Sequence, residues 1–206
     1  MKISVFGATG ETGRRFCRRA LDAGHTVRAF SNSRQEIQGV PELRATPTKL
    51  DDSMALDAAL QDADVLVSAI GGESASRFDG LQALIEAAQR QGVERIIAIG
   101  GAGIIPLSGG SRLLKDIPQF PDFLVSISNA HLAGYERLKA SQLRWTMICP
   151  GQMHAGDSSG EYLARGEALV DGKTDVLYDD VAHLILRCLS EALYVGERVS
   201  VGNQEI

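Results

Sequence analysis

Three glycines near the N-terminus, Gly7, Gly10 and Gly13, are spaced Gly-x-x-Gly-x-x-Gly. They follow a short apolar run rich in β-formers, residues 2–6, with Ile3, Val5 and Phe6. After them, residues 14–23 have helical periodicity, with Phe16, Cys17, Ala20 and Leu21 on one side and Arg14, Arg15, Arg18 and Arg19 mostly on the other. Strand, glycine turn and helix in that order are what a parallel α/β sheet uses to receive a nucleotide. One glycine permits the tight turn, one lets the backbone approach a pyrophosphate, and one lets helix and strand pack closely. The phosphates then meet free N–H groups at the positive end of the helix. A bare glycine triplet also serves as an ordinary strand-to-helix turn. Its place here, after a strand, opening a helix and followed by a second strand at 26–30, favours the nucleotide.

Composition limits the alternatives. The 206 residues are 44% hydrophobic and 23% charged, which suits a single domain, 1–206, with a sizeable core. A net charge of −5 argues against a nucleic-acid surface. No apolar run approaches ~18 residues, so no membrane span is expected. The N-terminus enters a strand directly, without the pattern of a secretory leader. Cys17, Cys149 and Cys188 are widely spaced, and His25, His131, His154 and His183 lie far apart. That spacing predicts neither a disulfide framework nor a metal site, but buried thiols and a cytoplasmic setting.

Along the chain, strands and helices alternate. After a turn at 23–25, the second strand at 26–30 ends in Ser31-Asn-Ser-Arg34. No acidic residue stands there to hold a ribose 2′-hydroxyl, and small polar groups followed by an arginine suit a 2′-phosphate. NADP is therefore expected over NAD, unless Arg34 is only a solvated loop charge. A short third strand is expected at 43–46, then a helix capped by Asp51-Asp52-Ser53. Residues 64–72 read as a strand covered on both faces and end in Gly71-Gly72. A helix at 80–91 leads to a fifth strand at 93–99, ending in Gly100-Gly101. Right-handed crossovers bring these glycine-bearing ends to one edge. Residues 102–129, with Pro106, Pro118 and Pro121, break the rhythm and read equally as lid or as packed surface excursion. A helix at 129–141, a sixth strand at 144–149, a loop at 154–175, a last helix capped by Asp179 and an edge strand at 198–201 complete the reading.

Four segments carry a family resemblance: Gly7-Ala-Thr-Gly-Glu-Thr-Gly13, Asp64-Val-Leu-Val-Ser-Ala-Ile-Gly71, Ser141 through Gly151, and Asp180-Val-Ala-His through Leu189. Together they resemble the NAD(P)H-binding atypical short-chain dehydrogenase/reductases, most of all the flavin reductase or biliverdin-IXβ reductase branch. The resemblance implies one doubly wound α/β Rossmann domain, strand order 3-2-1-4-5-6 with an extra edge strand. It also implies NADP(H) as cofactor and flavin-, quinone- or tetrapyrrole-like acceptors, a flavin being substrate rather than resident group. By position, Gly7, Thr9, Gly10, Glu11, Thr12 and Gly13 correspond to the pyrophosphate loop. Asn32 and Arg34 stand at the 2′-phosphate, with the usual arginine replaced by Asn32. The family's Gly-Asp-Leu is Thr48-Lys49-Leu50 here, leaving Leu50 to pack on adenine. Ala69, Ile70, Gly71, Gly100 and Gly101 are expected beside ribose and nicotinamide, and Pro150, Gly151, Gln152 and Met153 flank the nicotinamide.

Tyr135 and Lys139 spell the Tyr-x-x-x-Lys dyad of ordinary short-chain dehydrogenases. They lie too close to Pro150 to be in register, and the family's lysine position falls on His131. His131 is the candidate catalytic residue, as ribose contact or proton carrier, with a structural histidine as the alternative. Without a conventional acid–base set, the chain is expected to reduce small aromatic acceptors whose own ring stabilises the incoming charge. The alternative is an NADPH-binding sensor without turnover, like the NmrA-type proteins. Oligomeric state is not legible.

Overall fold

The strand before the glycine turn lies inside the sheet. In this computed structural model, β1 (Lys2–Phe6) pairs in parallel with β2 (Thr26–Ser31) on one side and β4 (Val65–Ser68) on the other. Described are residues 1–32, 36–70, 74–107, 110–158, 160–171 and 174–203, with 74–78 as backbone only. The remaining strands of the main sheet are β3 (Thr46–Pro47), β5 (Arg95–Ile99), β6 (Arg144–Pro150), β8 (Tyr162–Gly166) and β10 (Glu197–Asn203). They run in the order β3-β2-β1-β4-β5-β6-β10-β8, which contains the expected 3-2-1-4-5-6. A separate small parallel pair joins β7 (Met153–His154) to β9 (Val176–Leu177).

The period-two pattern of the strands builds two cores. Ile3, Val5, Val67, Ile97 and Ile148 face α1 (Glu11–Asp22) and α5 (Tyr178–Ser190), whose Phe16, Cys17, Val181 and Ile185 meet them. Phe6, Leu66, Ile96, Ala98 and Met147 point the other way. There they meet α2 (Ser53–Leu60), α3 (Ser74–Gln91) and α4 (Val125–Ala140) through Leu56, Leu84 and Leu138. Each such side chain, taken fully out of water, contributes about 1.5–3 kcal/mol. The three cysteines are buried and unbridged, and burial pushes the Cys17 and Cys149 thiols up to about 12. They behave as small apolar residues.

Several boundaries differ from the sequence reading. β3 sits at Thr46–Pro47 rather than 43–46, because 40–43 close a turn through Leu43 N–H to Val40 O at 3.1 Å. Pro47, lacking an N–H, is tolerated because β3 is the sheet edge. α3 starts at Ser74 and α4 at Val125, both earlier than expected. Asp52 caps α2 as expected, accepting from Ala55 N–H at 3.0 Å. Asp179 does not cap α5. It lies in the first turn, where Arg19 grips it at 2.8 and 2.9 Å and the Ser158 amide donates to it at 3.0 Å. Burial would raise that carboxyl, but these donors outweigh it and hold it below the usual range.

The largest correction concerns the C-terminal strands. Residues 198–201 were expected at the edge, yet β10 lies inside the sheet, parallel to β6 and antiparallel to β8. The edge is β8, drawn from a stretch expected to be loop. Within 102–129, Ile104 and Ile105 are fully buried and Pro106 bridges to Leu113, so the first part is packed surface. Phe123, 81% exposed, stands out on the second part.

Arg95 opens β5 at the amino edge of the sheet, buried. It donates to Arg144 O at 2.7 Å and to Thr146 Oγ1 at 2.7 Å, and burial pushes its guanidinium down to about 10. Arg95→Leu strands these buried acceptors. The expected loss is roughly 2–3 kcal/mol, read as a lowered urea midpoint with an unchanged slope.

Candidate functional site

The turn between β1 and α1 is shaped by two near-contacts of backbone. Gly7 has φ +77°, and a Cβ there would lie 2.3 Å from Ala69 O on the neighbouring strand end. A Cβ on Gly13 would lie 2.1 Å from Gly7 O. These two glycines let the first turn of α1 sit directly on the end of β1 and β4. Gly10 is different. A Cβ there would meet only Gly7 O, at 3.4 Å, so the protein itself leaves room for a side chain. Gly10 is the N-cap of α1 and faces outward into a cleft. The first intrahelical bond is Arg14 N–H to Gly10 O at 2.9 Å, so the N–H groups of residues 11–13 have no acceptor within the helix.

Glu11 places a carboxylate at this positive helix end. Arg14, at 3.0 Å, and Arg15 both bind it, and their hydrogen bonds hold its carboxyl below the usual range. The two guanidiniums thereby offset a charge that would repel an anion at the helix end. Thr12 is buried, its hydroxyl 3.9 Å from the Met153 sulfur, which ties α1 to the segment after β6.

A cleft of about 570 Å³ runs along the carboxyl ends of β1, β2, β3 and β4. It brings together Gly7, Thr9, Gly10, Asn32, Leu50, Ala69 and Ile70 from the expected set. It also includes residues not named among the expected cofactor contacts: Ser31, Thr48, Lys49 and Asp51, with Phe6 and Phe30 stacked at 4.9 Å. The signal for them was the parallel order, since every turn that follows a strand reaches this edge. By sequence, the turn 48–51 counts only for Leu50 and for the cap of the next helix, because Lys49 does not match the acidic residue of the family's Gly-Asp-Leu. Arg34 and Gly71 lie outside the described residues.

The other expected residues gather past β4. Gly100 is packed by the protein itself, its Cβ direction filled by Cys149 Sγ at 3.0 Å. At Gly101 the space belongs to the imidazole of His131, whose Nδ1 would be 2.7 Å from a Cβ. His131 is 8% exposed and lines a 20 Å³ hollow with Ser68, Ile70, Ile99 and Met147. Pro150 ends β6, Gly151 N–H donates to Thr174 O at 3.0 Å, and Gln152 O accepts from Val176 N–H at 3.0 Å. Tyr135, one helical turn beyond His131, points elsewhere. Its ring lies 4.0 Å beneath the Arg198 guanidinium and edge-on to Trp145 at 5.7 Å. Lys139 Nζ sits 5.8 Å from the same ring centre, so the pair is packing. Two described titratable side chains stand at this end, His131 and the buried Cys149, whose thiol burial pushes up to about 12.

A family model described as NAD(P)H-binding matches residues 7–192. Among solved structures, a Burkholderia pseudomallei protein provisionally named as exported is similar at a TM-score of 0.88 and 27% identity, with 98% of this chain and 99% of that one covered. A Streptococcus pneumoniae protein provisionally named an NADH-flavin reductase gives 0.82 and 24%, covering 99% of this chain and all (100%) of that one. A Veillonella parvula short-chain dehydrogenase/reductase in complex with NADP gives 0.74 and 17%, covering 98% and 94%. The last two show likeness of fold. A chloroplastic Arabidopsis thaliana protein of uncharacterized function is 24% identical over 201 residues, 86% of this chain; the chain spans 66% of that relative's length. Among the described residues no helix is long and apolar enough to cross a membrane.

The glycines differ in what they spare. Gly13→Ala should cost roughly 2–4 kcal/mol through the clash with Gly7 O, seen as a lower melting temperature. Gly10→Ala should leave the melting temperature nearly unchanged and weaken dinucleotide binding, measured by calorimetry.

Proposed function

This chain belongs to the NAD(P)H-binding Rossmann family, and from that premise we propose that it is an NADPH-dependent oxidoreductase of flavin-, quinone- or tetrapyrrole-like aromatic acceptors. The residues fit the dinucleotide. Gly10 leaves unused space over the helix N-terminus, where first-turn amides without an acceptor in the helix suit a pyrophosphate. The cleft beyond it, with Leu50 and Ile70 on its walls and Asn32 at its end, suits an adenosine. When bound, the dihydronicotinamide would supply the hydride.

The observation that carries the choice of acceptor is the chemistry of the far end. The described residues expected beside the nicotinamide are glycine backbone, Pro150, Gln152, Met153 and one buried imidazole. None of these pairs a proton donor with a base among the described residues. A carbonyl needs such a donor as its oxygen charges, whereas an aromatic acceptor spreads the charge over its own ring and takes its proton from solvent. What the chain contributes is orientation and exclusion of water. We assign His131 to positioning, because its ring is buried and held closely against Gly101. The same lack of an acid–base pair favours a second reading, an NADPH-binding sensor that does not turn over.

Following NADPH absorbance with FMN, riboflavin and a small quinone decides between them. Steady oxidation with at least one is expected. Tight NADPH binding with no oxidation across the panel would establish the sensor instead. His131→Gln should raise KM for NADPH about 3- to 10-fold, the worth of one hydrogen bond, with kcat within about twofold. A hundredfold loss of kcat together with a lost limb of the pH profile would make His131 a proton donor.

A further inference from the structure

Of the described side chains lining the 570 Å³ cleft, two are charged, Lys49 and Asp51, and neither belongs to an ion pair among the described residues. They would favour opposite ligands. A cation beside the adenosine ribose attracts a 2′-phosphate, whereas a carboxylate there accepts from a free 2′-hydroxyl. Which of the two reaches the ribose therefore sets the preference of the cleft.

Their positions are not equivalent. β3 pairs with β2 through Phe30↔Thr46 and Ser31↔Pro47, and Thr48 N–H then donates to Ser31 O at 2.8 Å. Lys49 is the first residue past that pairing: the register sets Thr48 level with Asn32, and Lys49 follows one position on, on the cleft wall. Leu50 turns towards α3, where its Cδ1 would lie 2.6 Å from a Cβ on Gly80. Asp51 belongs to the turn into α2, closed by Asp52 N–H to Lys49 O at 3.3 Å. A pyrophosphate over Gly10 directs the attached ribose to the end of β2, the side of Lys49.

Resting on the dinucleotide reading above, we propose that Lys49, on the turn after β3, is the residue that selects a 2′-phosphorylated dinucleotide. Its side chain is exposed and in no ion pair among the described residues, so it meets the phosphate without first giving up a described carboxylate. The phosphate carries close to two negative charges at neutral pH, and the Asn32 amide and Ser31 hydroxyl beside it complete a polar surround. Asp51, two positions on, already belongs to the turn into α2 and stands further along the chain from the β2–β3 pairing. The preference for NADP thus sits on a segment after the third strand as well as at the end of the second.

Titration calorimetry of the full chain, Lys49→Gln and Asp51→Asn with NADPH, NADH, 2′,5′-ADP and 5′-AMP tests this. Lys49→Gln should weaken NADPH and 2′,5′-ADP roughly tenfold or more, and leave NADH and 5′-AMP within about twofold. An unchanged NADPH-to-NADH ratio in Lys49→Gln overturns the inference, as does a selective loss of NADH in Asp51→Asn. If the unmutated chain binds neither dinucleotide, the functional reading falls and this inference with it. If it binds them and Lys49→Gln leaves the ratio alone, only the inference falls.

Discussion

The approach of Gly13 to the carbonyl of Gly7 is the contact on which the molecule turns. At that distance no side chain fits, so α1 rests directly on the strand that precedes it. Everything at the carboxyl edge is referred to that seat. The helix N-terminus points along the cleft because its first turn is pinned to β1 and, through Gly7, to the end of β4. Phe16, Cys17 and Ala20 then face the core shared with α5, and Arg19 reaches Asp179 to lock the two helices at their polar ends. A loosely packed α1 would still be amphipathic, but its amides would no longer be aimed.

Around this seat the charges are arranged so that the anion end stays receptive. Glu11 is neutralised locally by Arg14 and Arg15. At the far end, among the described residues, the His131 ring is buried against Gly101. The added strands support it from behind. Arg198 on β10 donates to Ile104 O at 2.8 Å, pairs with Glu167 at 2.6 Å and lies over Tyr135. One guanidinium thus joins β10 to the turn after Gly101 and to the helix that carries His131. The tyrosine that spells a catalytic motif is instead the floor on which that guanidinium rests.

Local pattern was enough for the parts of the molecule whose cause is local. The glycine turn, the doubly covered strand at Val65–Ser68, the Asp52 cap and the alternation of strand and helix follow from spacing of two or 3.6 and from backbone sterics. So did the gathering of Gly7, Thr9, Gly10, Asn32, Leu50, Ala69 and Ile70, because right-handed crossovers leave one edge for all strand ends. The register of Tyr135 against Pro150 was also legible, by counting.

Other features were decided only when distant segments met. Tyr162–Gly166 has too little pattern to declare itself a strand and becomes one by pairing with β10, some forty residues away. Asp179 has the chemistry of a helix cap but is taken by Arg19 from α1. Lys49 and Asp51 look like ordinary turn charges until β3 is set beside β2. The sequence by itself determined the fold's alternation and the anion cradle, since sterics and hydrogen bonds within a few residues specify both. Tertiary structure alone decided the sheet's last two strands and the polar lining of the cleft. Those depend on partners supplied from elsewhere in the chain, and periodicity carries no information about such partners.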